Sequence, residues 1–97
     1  MISREDFIFT IGFDGPAAVV DANAKRSYGK LSTKELLDKG LFRAAFSSAL
    51  YAKNDAEIKL VVDGYNAKAG THYTTGDELK RIFGVSEEQV KRVLALG

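Results

Sequence analysis

Helix-start and helix-stop residues recur along this chain at intervals too short for any long helix. Ser3, Asp14 ahead of Pro16, Ser32, Asp55, Thr75 and Ser86 are residue types that cap helix N-termini, because their side-chain oxygens accept from the unpaired amides of a first turn. Four of the starts read as capping boxes: Ser3-x-x-Asp6, Ser32-x-x-Glu35, Thr75-x-x-Glu78 and Ser86-x-x-Gln89, in which the fourth residue reaches back to the cap. Gly29, Gly40, Gly70 and Gly84 stand where helices should stop, since glycine enters the left-handed conformation of a helix end without a Cβ clash. This punctuation predicts six or seven short helices.

Between these marks the apolar spacing is helical. Ile58, Val61, Val62, Tyr65 and Ala69 share one stripe, with Lys59, Asp63, Asn66 and Lys68 off it. Ala17, Val20, Ala24 and Tyr28 make a weaker stripe. Phe42, Ala45, Phe46, Ala49 and Leu50 face one way in a third, where small residues (Ala44, Ala45, Ser48, Ala49) permit close approach of a neighbouring helix. The expected fold is a mainly α, compact bundle of six or seven short helices. The alternative is α+β with an N-terminal β-hairpin at 7–21, because Phe7-Ile8-Phe9-Thr10-Ile11-Gly12-Phe13 is rich in strand-forming residues. Ser3 followed by Glu5 and Asp6 favours a helix start there instead.

Ninety-seven residues, 45% of them hydrophobic, make one domain, 1–97. Within it an internal repeat of 16–53 and 55–97 is suggested by "VVDANAKRSYGKLSTKELLDKGL" (19–41) set above "VVDGYNAKAGTHYTTGDELKRIFGV" (61–85). Asp21 then aligns with Asp63, Ser32 with Thr75 and Gly40 with Gly84, giving two tandem helix-loop-helix units.

The absence of cysteine excludes zinc–thiolate sites, thiol catalysis and disulfides, and suits a cytoplasmic location. The opening MISRED is partly acidic and the apolar run after it is short, so neither a signal peptide nor a membrane span is expected. Net charge is +1, yet it is unevenly placed. Residues 1–21 set one Arg against four acids, whereas 22–53 set seven bases against Glu35 and Asp38. Any polyanion-binding face therefore lies in the middle third, with Lys25, Arg26, Lys30, Lys34 and Arg43 as its candidates.

The stretch "ELKRIFGVSEEQVKRVL" (78–94) resembles the helix-turn-helix of bacterial transcription regulators of the Lac-repressor type. Leu79 and Phe83 match the inner face of the first helix, Gly84 and Val85 the turn, and Val90 and Val93 the second helix. The resemblance implies a second helix entering the major groove with its N-terminal residues at base edges. Candidate contacts are Thr75, Ser86, Gln89, Lys91 and Arg92, beside Glu87 and Glu88. Those two glutamates would face phosphate, and Lys80 stands where the family carries a small residue.

"GKLSTKEL" (29–36) and "YTTGDEL" (73–79) resemble the exit half of an EF-hand loop. That resemblance implies Glu35 and Glu78 as closing calcium ligands, with Asp21 and Asp63 opening the two loops. Asp21 to Glu35 spans 15 residues and Asp63 to Glu78 spans 16, and Lys25 occupies a ligand position, so the metal expectation is none.

His72 is the single histidine, placed in a loop without metal-ligand spacing. Asp14-Gly15-Pro16 lacks a phosphate-cradling glycine pattern. No enzyme activity and no cofactor are expected. The leading reading is a non-catalytic domain that binds a protein partner, through the basic, small-residue stretch Lys25–Lys53 or through Phe7, Phe9 and Phe13. Nucleic-acid binding is the alternative.

Overall fold

A computed structural model describes residues 3–14, 17–83 and 92–96. In chain order the elements are α1 (Arg4–Ile8), β1 (Thr10–Asp14), β2 (Ala17–Asp21), α2 (Ala22–Tyr28), α3 (Thr33–Asp38), α4 (Phe42–Tyr51), α5 (Asp55–Ala69), α6 (Gly76–Phe83) and β3 (Arg92–Leu96). Helix thus dominates, with six helices and a three-stranded sheet among the described residues.

The N-terminal segment holds both of its expected conformations in succession. Ser3 caps α1, accepting from the Asp6 amide at 3.3 Å, and Glu5 and Asp6 sit in the first turn. The helix ends at once, with the Thr10 hydroxyl donating to the Asp6 carbonyl at 2.7 Å. From Thr10 the chain is extended, and β1 pairs antiparallel with β2 from Thr10↔Val20 to Asp14↔Ala17, with a bulge between Thr10 and Gly12. The hairpin alternative therefore describes 10–21, while Phe7 and Ile8 belong to a helix.

Two stretches read as helical are strands. Ala17 and Val20, placed above in a helical stripe with Ala24 and Tyr28, lie in β2, and the helix begins only at Ala22. The reason is position: β2 is the central strand. Ala17, Ala18 and Val20 are all buried, as expected of a strand covered on both faces. Val93 and Leu94, expected in the last helix, lie in β3. This strand runs parallel to β2, from Ala17↔Arg92 to Asp21↔Leu96. Parallel neighbours need a long crossover, and here α2 through α6 all lie in it.

The helices enclose one core around α4. Its residues 44–50 are all buried, and α1, α3 and α5 pack against it. The small residues Ala44, Ala45, Ser48 and Ala49 therefore work inside the protein, where they admit neighbouring helices, and offer no docking surface. Phe46, Ile8, Leu36, Leu79 and Val61 fill the centre. Phe7 and Phe9 are buried and belong to the core.

Local punctuation holds at most helix ends. Ser32 and Glu35 make the reciprocal capping box of α3. α5 is capped by Asn54, one residue before the expected Asp55, and ends at left-handed Gly70 (φ 70°). Gly40 is also left-handed (φ 77°). Gly84 and Ser86 fall outside the described residues. The two aligned segments differ at their starts, since Val19-Val20-Asp21 closes a strand and Val61-Val62-Asp63 sits inside α5. They coincide at α3 and α6, where Leu36 and Leu79 occupy the same place in the pattern and both are fully buried.

Candidate functional site

The four carboxylates aligned with calcium ligands each serve a separate local purpose. Asp21 caps α2, with the Ala24 amide donating to its Oδ1 at 3.0 Å. Asp63 pairs with Lys59 at 2.8 Å on the surface of α5. Glu35 accepts from the Ser32 amide at 3.0 Å. Glu78 accepts from the Thr74 amide and from the Thr74 and Thr75 hydroxyls at 3.2 to 3.3 Å. Among the described residues no three His, Asp or Glu side chains converge as a metal site.

The last two contacts have a pH consequence. The Ser32 amide, then its hydroxyl, holds the Glu35 carboxyl below its ordinary value of 4.5, and the Thr74 amide does the same for Glu78. A carboxyl with a depressed folded pKa contributes stability above its unfolded pKa and loses it as pH falls through the folded one. The N-termini of α3 and α6 are therefore expected to loosen on acidification below pH 4.5, not between 5 and 8. Amide exchange at Glu35 and Glu78 followed from pH 6 to 3 checks this, and protection lost already near pH 6 would contradict it.

Three of the candidate bases of the middle third are engaged in polar pairs. Lys25 meets Asp6 at 2.7 Å, Lys34 meets Asp38 at 3.3 Å, and Arg26 donates to Asn23. Lys30 is exposed, and Thr75 is turned to Glu78. Arg92 opens β3, a strand where the helix-turn-helix resemblance implies helix. Ser86, Gln89 and Lys91 lie outside the described residues. His72 is an exposed loop residue.

Sequence reasoning missed Arg4, which makes three long-range hydrogen bonds among the described residues. Its guanidinium donates to the Gly29 carbonyl at 2.9 Å, the Leu31 carbonyl at 2.6 Å and the Ser48 hydroxyl at 3.0 Å. The Ser48 and Thr33 hydroxyls are 2.8 Å apart, and Thr33 donates to Glu57 at 2.5 Å. Because Thr33 gives its proton to Glu57, it must accept from Ser48, whose own lone pair takes the Arg4 donor. A one-way relay thus runs from cation to carboxylate through two buried hydroxyls. No local pattern signals it, since its members lie 15 to 44 residues apart.

Two further surface features stand out among the described residues. One is a predominantly apolar groove of about 420 Å³ between β1, α2 and the start of α4, lined in part by Phe9, Tyr28, Phe42, Tyr65 and Phe83. Phe42 and Phe83 both meet Tyr65 edge-on, with centroids 5.4 and 5.2 Å away. Arg43 and Asp21 supply the groove's charges. Arg43 Nη1 donates to the Ile11 carbonyl at 3.2 Å, but among the described residues its buried Nε–H has no acceptor, an omission that costs about 1–3 kcal/mol. Burial also lowers the Arg43 pKa from its ordinary value, because desolvation disfavours the cation.

The other feature is the outer edge of the sheet. β1 and β3 are its two edges, and they are finished differently. β1 carries a bulge, and Arg43 occupies the carbonyl of Ile11. β3 pairs with β2 in unbroken register, and its Val93, Ala95 and Leu96 and its Leu94 are all exposed, Leu96 by 53%. Bulges and cationic side chains are the usual devices that stop an edge from pairing further, and β1 has both. Comparison with protein-family models, with curated proteins and with solved structures gave no match.

Proposed function

We propose that this chain is a non-catalytic interaction module that takes an extended apolar segment of a protein partner as an added strand along β3. The observation that carries the reading is the contrast between the sheet's two edges: a bulged β1 whose Ile11 carbonyl is taken by Arg43, against a β3 of unbroken register that is apolar and exposed from Val93 to Leu96. An open edge offers a row of main-chain donors and acceptors, and strand addition uses that row for affinity and alternate side chains for selectivity. Val93 and Ala95 would meet one face of the incoming segment, Leu94 and Leu96 the other.

Size argues for a peptide and against a second copy of the chain. Five residues extend about 17 Å at ~3.3 Å per residue. An edge that short buries much less than the roughly 1,200–2,000 Å² of a stable protein–protein interface. It suits a short segment held with modest affinity. The even charge balance, net +1, gives no comparable support to a polyanion partner.

The test is an amide chemical-shift titration of the full chain with a capped seven-residue peptide of alternating Val and Thr between lysines. A control peptide of the same residues with a central proline removes the pairing. Shifts across 92–96 with the first peptide alone, and at least about tenfold weaker binding by Leu96→Lys, are expected. Equal shifts with both peptides, or none at β3, would overturn the reading. So would a dimer of the free chain in sedimentation that Leu96→Lys dissolves, since a second copy would then own the edge.

A further inference from the structure

The groove at the opposite edge of the sheet has a chemistry of its own. Its floor is aromatic and its two charged side chains have opposite sign, Arg43 and Asp21. Among the described residues no carboxylate pairs with Arg43. Ile11 takes only Nη1. Nε and Nη2 form the other edge of the guanidinium, two parallel N–H groups whose spacing matches the two oxygens of one carboxylate. Among the described residues Nε has no acceptor, so an anion that reaches it gains a charge-assisted pair with a donor the fold leaves unused.

We propose that this groove is a second binding site, one that receives the C-terminal residue of a protein chain. The free α-carboxylate meets the Nε/Nη2 edge of Arg43, and the terminal side chain, aromatic or branched and apolar, lies among Phe42, Tyr65 and Phe83. Asp21 decides between sources of such a carboxylate. Its Oδ1 is used by the Ala24 amide, and its other oxygen can accept. A simple organic acid brings no donor to it, whereas the last peptide N–H of a chain does. The volume, about 420 Å³, lies in the range of sites that enclose one small group, roughly 300–1,000 Å³. Nε is shielded from water, so the oxygen reaches it after a small shift of the Arg43 side chain, which is only half-buried and is held by one exposed bond.

This site does not depend on strand addition at β3, and its test reads different residues. The full chain is titrated with three probes: N-acetylphenylalanine, its C-terminal amide, and 3-phenylpropionate. The expected result is that N-acetylphenylalanine binds at least about tenfold more tightly than the amide and more tightly than 3-phenylpropionate. It should shift the amides of Ile11, Phe42 and Arg43 and the side-chain Nε–H signal of Arg43. Arg43→Lys keeps the charge but loses the paired N–H edge, so it should erase the preference for the free carboxylate. The wild-type Nε–H signal answers the question even if that variant folds poorly. Equal binding of acid and amide, an unmoved Nε–H, or no binding at all would overturn the proposal. Equal binding of 3-phenylpropionate would assign the groove to small acids and overturn it as a C-terminus site.

Discussion

Phe46→Ala is expected to lower the stability of this protein by about 3–5 kcal/mol, the usual cost of deleting a fully buried ring. Phe46 has no exposed surface and lies on α4, the helix that α1, α3 and α5 all pack against. Its ring stands 5.9 Å from that of Phe83 on α6. It also passes within 3.6 Å of where a Cβ would stand on Gly76, at the first position of α6. α6 is thus seated on this ring, and collapse around the vacated space would require α6 and α4 to move together. Domains of this size hold about 5–15 kcal/mol in total, so the variant would sit near the folding threshold. Urea unfolding checks it: the midpoint should fall with the slope unchanged. Phe46→Leu, which keeps most of the volume, should lose roughly 1.5 kcal/mol or less. A loss below about 1 kcal/mol for the alanine variant would mean that α4 is not the centre of the core.

What the sequence discloses here is local, and what it conceals is distant. Ser3, Ser32 and Gly70 act where composition places them, because a cap depends on three or four neighbouring residues. Val61 and Val62 are buried, because helical periodicity is itself a local property. The parallel pairing escapes such a reading for the opposite reason. Ala17–Asp21 is legible as one arm of a hairpin with its neighbour 10–14, but its second partner, 92–96, lies 75 positions away, and a short apolar run carries no sign of such a partner. Val93 and Leu94 read equally well as the inner face of a final helix until β2 is seen beside them. The candidate sites follow the same division. Glu35 and Glu78 are visible as the closing residues of capping boxes, and that is the service they perform, whereas the cap that Asp21 supplies is hidden because the strand before it reads as part of the same helix. Arg43 is visible only as one base among several, because its unpaired Nε and its place beside the aromatic groove arise from the tertiary fold.

Arg4→Met should cost about 2–3 kcal/mol, the largest effect expected of any polar substitution in this chain. Methionine fills much of the arginine's volume, so the loss isolates the polar contacts. It strips the donor from the Gly29 and Leu31 carbonyls and from the Ser48 hydroxyl at one stroke. Groups left buried and unpaired lose about 1–3 kcal/mol each. Here the total is held down because the Arg4 side chain keeps 31% of its surface, and water reaches part of what it leaves. The relay gives the prediction a sharper form. If Arg4 polarises Ser48, Ser48 polarises Thr33, and Thr33 presents its proton to Glu57, then Arg4 and Glu57 act as one unit although they share no contact. Glu57→Gln in the Arg4→Met background should then cost less than it does alone, with a coupling of at least about 0.5 kcal/mol. Independent losses that simply add would mean that the two buried hydroxyls serve their neighbours singly. Coupling would make this chain of four side chains the tie between α1, α4, α3 and α5, holding the N-terminal helix on the bundle that supports the sheet.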